Sequence, residues 1–222
     1  GTLLTALRTG AAGGVASKHL AQSAPKTIGF IGCGVQSYML HDAHRVVFEA
    51  FESLAYDRNA ANAQRFADRV GARVVSLEEA AGADIVCTAT PSRMPLVEAQ
   101  WIRPGAHINA MGADAPGKRE LTTEILLAAS VYIDDIHQAT GSGEINVPLA
   151  AGDFSIDEIA GTLGEVIAGV LPKPDLAATT VFDSTGLAIQ DVSVARAIYD
   201  AAEARSIGRE IDLLGFDSKP KA

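Results

Sequence analysis

Three groups of residues in this chain have the types and spacing to do chemistry together. The first is Gly32-Cys33-Gly34-Val35-Gln36-Ser37, which follows the apolar run TIGFI. In this G-x-G-x-x-S order Gly32 permits a tight turn and Gly34 lets the backbone approach a pyrophosphate. Ser37 is small enough to stand in for the usual third glycine where helix and strand pack closely. A helix starting there would aim free N–H groups and the positive end of its dipole at a phosphate. The second is Asp57, at the end of the next apolar run and about 20 residues past Gly34, where a carboxylate accepting from a ribose 2′-hydroxyl is expected. That carboxylate would repel a 2′-phosphate, so the pair points to NAD rather than NADP. Arg58 beside it could stack on adenine or hold a phosphate, or be a solvated loop residue. The third is Asp114, alone in the turn INAMGADAPGK that ends at Lys118. Aspartate is a common turn residue and could serve only that purpose. Placed in a ligand crevice and partly desolvated, it would instead titrate nearer neutrality and could exchange protons.

These residues need elements to hold them. Short apolar runs at 27–32, 53–57, 72–76, 84–90, 106–112 and 130–135 read as strands, with helical patterns at 36–48, 59–70 and 121–129 between them. Ser76 and Glu79 have capping-box spacing. Continuous apolar strands alternating with helices predict a parallel sheet covered on both faces, a Rossmann-type doubly wound α/β fold. Ligands then bind beyond the carboxyl ends of the strands. Thr90, after the strand CTAT, would face the same crevice as Asp114 and the glycine turn. Beyond residue 140 the stretch GSGEINVPLAAGDF reads as a loop, IDEIAGTLGEVIAGV as a glycine-interrupted helix, LPKPD as a linker, TTVFD (179–183) as a strand and 187–205 as a long helix. Leu4, Leu7, Ala11, Val15 and Leu20 keep helical spacing at the N-terminus.

Composition narrows the function. Hydrophobic residues make up 48% of the 222 and charged ones 20%, enough to bury a core. A net charge of −9 argues against a nucleic-acid partner. Cys33 and Cys87 lie in apolar runs without framework spacing, which fits free thiols in a reducing compartment. No charged-then-apolar pattern opens the sequence and no apolar run approaches roughly 20 residues, so no membrane association and a cytoplasmic location are expected. His41 and His44 stand at i, i+3 without a third ligand, so no metal is expected. His107 reads as a packed strand residue.

The motifs LTALRTGAAGG, GFIGCGVQ, TATPS, HINAMGADAPGKREL, GEINV, GEVIAG and FDSTGLAIQDV occur in one order from Leu4 to about Gly208. Together they resemble the ornithine cyclodeaminase/mu-crystallin family, and most of all its archaeal-type alanine dehydrogenase branch. The resemblance implies that Asp114 is the catalytic proton donor and acceptor. It implies that Arg8 and Thr9 contact the cofactor and close the site, that Val35 and Gln36 lie over the pyrophosphate and that Asp57 holds the ribose. Further NAD contacts would come from Thr90, Met111, Gly112, Ala113, Lys118 and Ser184, and a substrate contact from Thr185. Members of the family carry a further N-terminal segment of about a hundred residues, the size of a small domain, which supplies the groups that grip the substrate carboxylate and much of a dimer interface. On this reading residues 23–185 form the NAD-binding domain. Residues 1–22 and 186–222 are helices of the substrate and dimerisation domain, most of which is missing, and their apolar stripes would lie exposed.

The implied activity is NAD-dependent oxidative deamination of a small L-amino acid, L-alanine to pyruvate and ammonia, by a homodimer. Conversion of L-ornithine to L-proline uses the same first step and stays open, as does a truncated, non-catalytic NAD-binding protein.

Overall fold

The computed structural model describes residues 1–209 and 211. Its first strand is β1 (Thr27–Ile31), nearly all of it buried. The chain winds outward through α2 (Val35–Val47), β2 (Glu52–Tyr56), α3 (Ala60–Val70) and β3 (Arg73–Val74). It then crosses back through α4 (Leu77–Ala81) to β4 (Ile85–Thr88) on the other side of β1, followed by β5 (His107–Ala110). After α5 (Thr123–Ala128) come β6 (Ser130–Ile133), α6 (Ile136–Gly141), α7 (Asn146–Ala151), β7 (Ile159–Thr162) and α8 (Leu163–Ile167). Last is β8 (Thr180–Asp183), which leads into α9 (Ala188–Ala204); α1 (Thr2–Leu20) opens the chain. The sheet has eight strands in the order β3-β2-β1-β4-β5-β8-β6-β7, every pairing parallel. This is the Rossmann-type α/β fold, with its topological switch between β1 and β4.

Local chemistry explains the elements. Asn59 caps α3 through a bond from the Ala61 N–H, and Gly71 ends it in the left-handed conformation at φ 74°. Ser76 accepts from the Glu79 N–H, half of the expected capping box. The Glu79 carboxylate turns instead to Arg73. Helix α4 crosses β1 so closely that the Ala80 carbonyl occupies the space of a Cβ on Gly29.

Two readings of the second half change. The stretch read as a loop starts on the last residue of α6, a helix capped by Asp135, and holds α7. The stretch read as a glycine-interrupted helix splits. A short 3-10 turn, Ile156–Glu158, runs into strand β7, where Gly161 has φ 144°. Helix α8 then restarts from a capping box of Thr162 and Glu165. A T-x-x-E box in the middle of an apolar pattern marks a new helix start.

The terminal helices also part company. Helix α1 buries a different face from the stripe read in the sequence: Ala6, Gly10, Gly13, Gly14, Ala16, Ser17 and Leu20 are buried, whereas Leu4 and Leu7 of that stripe are half-buried and Ala11 and Val15 are exposed. The backbone of Met39 on α2 fills the space of a Cβ on Gly10, and the Leu40 side chain that of one on Gly13. Helix α9 buries no residue, and Ile189, Val192, Ile198 and Tyr199 are exposed. The rest of the 186–222 span, residue 210 and residues 212–222, lies outside the described residues.

A buried polar network fixes α1 to the sheet. The His44 Nδ1–H donates to the Leu40 carbonyl at 2.6 Å, which leaves Nε2 to accept from the Ser17 hydroxyl at 2.8 Å. The Asn109 amide donates to Ser17 Oγ, also at 2.8 Å, and His107 lies against Asn109 and Thr180. Burial pushes His44 down to about 4 and His107 down to about 3 from near 6.5, so both rings fold neutral. The unfolded chain binds their protons from about pH 6.5 downward, whereas the folded chain resists. Their contribution is therefore full above pH 6.5 and lost as pH falls through the folded values. We expect His107→Gln to be less stable than the unaltered chain at pH 7. That gap should narrow by up to about 1.4 kcal/mol per pH unit as pH falls from 6.5. Denaturant titrations across this range check it, and a gap independent of pH would contradict a neutral His107.

Candidate nucleotide-binding crest and acid

The carboxyl ends of β1, β2, β4, β5, β6 and β8 form one crest, and the loops that leave them are tied to one another. The Gly32 N–H donates to the Tyr56 carbonyl, the Ala89 N–H to Ile31, the Met111 N–H to Thr88 and the Ser184 N–H to Ala110. The topology thus brings most of the residues singled out by the sequence together.

At the glycine turn, Gly32 has φ 88°, and a Cβ there would meet the Ala89 carbonyl and Thr90 Cγ2 at 2.7 Å each. Only glycine fits this turn. Ser37 donates back to the Gly32 carbonyl, which closes the turn onto α2. Gly34 differs. It is exposed, it caps α2 without any side-chain cap, and a Cβ on it would meet nothing within 4 Å. Helix α2 therefore presents uncapped amides at Val35 and Gln36 beside open space, the cradle a pyrophosphate needs. The Asp57 carboxylate reaches across to it, accepting from the Cys33 N–H and the Asn59 N–H at 2.8 Å each. It sits at the rim of the turn, as a ribose-binding acid must. Arg58 is exposed. Burial first, and Asp57 second, push the Cys33 thiol up to about 12, which suits packing rather than redox chemistry.

Next along the crest, Thr90 and Gly112 touch. The Thr90 carbonyl lies where a Cβ on Gly112 would go, and the Glu120 carboxyl carbon would stand 2.6 Å from that Cβ. Met111 and Ala113 are buried, so this segment offers a ligand its backbone rather than its side chains. Asp114 pairs with Lys118. Its side chain is 63% exposed, so the partial desolvation expected for it is not seen. It sits at the outermost point of the turn, and no described element covers it.

The far end of the crest carries Ser184 and Thr185. Asp134, which the sequence reading overlooked, organises this loop. Its carboxylate accepts from the Thr185 N–H at 2.8 Å, the Thr185 hydroxyl at 2.7 Å and the Gly186 N–H at 2.7 Å. The Arg8 guanidinium fills the space of a Cβ on Gly186 and lies 3.7 Å from Asp191. The structure thus places Arg8 at the crest. Thr9, its neighbour, is buried on α1. The signal for Asp134 was faint, one of two acids ending VYIDD, with nothing local to show that it reaches a loop 51 residues away. Among the described residues no group of three or more His, Cys, Asp or Glu could hold a metal ion, and no helix is long and apolar enough to cross a membrane.

Comparison with known proteins gives a consistent picture. The profile described as the ornithine cyclodeaminase/mu-crystallin family matches residues 1–206. Over 216 residues the chain is 47% identical to an alanine dehydrogenase of Archaeoglobus fulgidus, covering 95% of this chain and 67% of that one. A solved archaeal alanine dehydrogenase dimer with bound NAD superposes with a TM-score of 0.91 at 45% identity, covering 96% of this chain and 68% of its own. The Δ1-pyrroline-2-carboxylate reductase of Thermococcus litoralis, solved with NADH and L-proline, gives 0.87 at 34% identity, covering 95% and 68%. The chain thus spans about two thirds of the length of the relatives it matches.

Proposed function

The chain belongs to the ornithine cyclodeaminase/mu-crystallin family, and from that premise we propose that it forms the NAD-binding part of an enzyme that oxidatively deaminates a small L-amino acid, L-alanine in the first instance. The observation that carries the proposal is the open cradle at Gly34, flanked by Asp57, on the same crest as Asp114. The 47% identity to an alanine dehydrogenase favours L-alanine as substrate.

The residues present fit NAD. The α2 amides at Val35 and Gln36 would hold the pyrophosphate, Asp57 the adenosine ribose, and the backbone of Thr90 and Met111–Ala113 the nicotinamide half. When bound, NAD supplies a hydride acceptor at nicotinamide C4. The protein's own work is then to move protons. Asp114 takes a proton from the substrate ammonium, so that the nitrogen lone pair can assist loss of hydride from Cα. After releasing that proton to solvent, the carboxylate takes one from the water that attacks the resulting imine and returns it to the nitrogen, which leaves as ammonium while pyruvate forms. Lys118 keeps the carboxylate oriented between these steps. Thr185, fixed by Asp134, lies beside the substrate. A homodimer is the expected assembly, in keeping with the dimeric solved relative.

A second reading has its own support, because a relative that is a pyrroline-2-carboxylate reductase shares the fold at 34% identity. Imine reduction is the same hydride step reversed. In ornithine cyclisation the δ-amine replaces water as the nucleophile, and the hydride is then returned to the cyclic imine, so NAD is regenerated. The deciding assay follows both NADH and released ammonia with the full-length protein and three substrates: L-alanine, L-ornithine, for which ammonia without net NADH marks cyclisation, and a cyclic imine with NADH. Net NADH formation is expected with L-alanine. NADH consumption with the imine alone would move the assignment to imine reduction.

A further inference from the structure

We propose that Asp183, Glu144 and Glu120 form a buried positioning ladder that sets the loop carrying Asp114, an inference that rests on the reading of Asp114 as proton carrier. Each carboxylate grips the backbone of the next rung. Asp183, at the end of β8, accepts from the Ile145 N–H at 3.2 Å through Oδ2, while its buried Oδ1 has no hydrogen-bond partner among the described residues. Glu144 accepts from the Glu120 N–H and the Leu121 N–H, each at 2.9 Å. Glu120 accepts from the Thr88 hydroxyl at 2.6 Å, the Thr90 N–H at 2.6 Å and the Gly112 N–H at 2.9 Å.

The ladder therefore joins the ends of β8, β4 and β5, and loop 112–120 is tied at its first and last residues. A third tie holds its middle. Asn146, two residues past Glu144, accepts from the Gly117 N–H at 2.9 Å and donates to the Lys118 carbonyl at 2.9 Å. Asp114 and Lys118 sit within this held loop.

Burial makes the arrangement costly. Glu120 and Asp183 are 0% exposed and Glu144 1%, and among the described residues none forms an ion pair with Lys, Arg or His. Burial pushes all three carboxyls up, and Coulombic repulsion within the acid cluster adds to this for Glu144 and Asp183; Asp183 reaches about 7. Well-packed apolar residues would stabilise a core at least as well as uncompensated buried acids. What apolar residues cannot do is hold these loop amides at fixed spacing, and those loops carry the proposed chemistry.

Glu144→Gln tests this. It keeps the shape but can turn an NH2 toward the amides of Glu120 and Leu121, which only donate. In the full-length protein, with the substrate it turns over, kcat per NAD-binding site should fall about 10- to 100-fold, the usual cost of loosening a supporting group. The Kd for NAD should stay within about threefold, because the glycine turn is untouched. A merely structural role would lower the number of NAD-binding sites and leave kcat per site unchanged. Asn146→Ala, which unties Gly117 and Lys118 without altering a buried acid, should lower kcat per site in the same way, and it serves if Glu144→Gln does not fold. An unchanged kcat per site in the folded variants, beside an inactive Asp114→Asn, would overturn the ladder and leave the role of Asp114 standing. An active Asp114→Asn would overturn both.

Discussion

Asp114→Asn is expected to lower kcat by about a hundred- to ten-thousandfold, the range supplied by a positioned proton carrier. Asparagine keeps the size of the side chain and loses only its basicity. The amine then has no acceptor for its proton, and the attacking water has none either. The fold should not respond: the side chain is 63% exposed, and such surface changes fall within about 0.5 kcal/mol. NAD binding should stay within about threefold, since neither Gly34 nor Asp57 is touched. Steady-state kinetics and an NAD titration on one preparation check all three statements. An Asn variant with undiminished kcat would remove Asp114 from the mechanism.

The second large effect concerns the cradle. Gly34→Val should weaken NAD binding by about a hundredfold or more, equivalent to roughly 3 kcal/mol, because its branches would stand where the pyrophosphate lies. The same substitution should leave the melting temperature nearly unchanged. Gly34 has φ −85° and ψ −167°, backbone that any residue adopts, with no atom within 4 Å of a Cβ. Gly32→Val is the contrast. It would force a left-handed position and drive Cβ into the Ala89 carbonyl, so it should unfold the turn and lose stability together with binding. Fluorescence titration with NADH and thermal melts separate the two. Full NADH affinity in Gly34→Val would place the nucleotide elsewhere.

Much of this was legible in the sequence for a physical reason. The strands TIGFI and IVCT are nearly continuous apolar runs, as strands buried on both faces must be, and the glycine turn is a local motif whose spacing carries its own geometry. The sequence was less informative where structure depends on distant contacts. Strand β7 is only four residues long with a glycine at φ 144°, and its strand character comes from pairing with β6 rather than from any alternation of its own. Helix α1 was legible through a stripe of which Ala11 and Val15 stay exposed, whereas the face that packs on α2 is made by Gly10, Gly13 and Gly14, and small residues leave little trace in a hydrophobic pattern. Asp134 and Glu120 were missed for a related reason. A buried carboxylate that binds backbone amides needs no motif near it, only a fold that delivers those amides. Asp114 was legible as a candidate, but its exposure and its pairing with Lys118 appeared only in three dimensions.

The measurement that bears most directly on the account is a structure of the full-length protein with NAD and a substrate analogue. It should show the pyrophosphate on the amides of Val35 and Gln36 and the Asp114 carboxylate within about 3 Å of the analogue's nitrogen, directly or through one water. A complex with the nicotinamide in place and Asp114 turned outward, away from the substrate nitrogen, would contradict it.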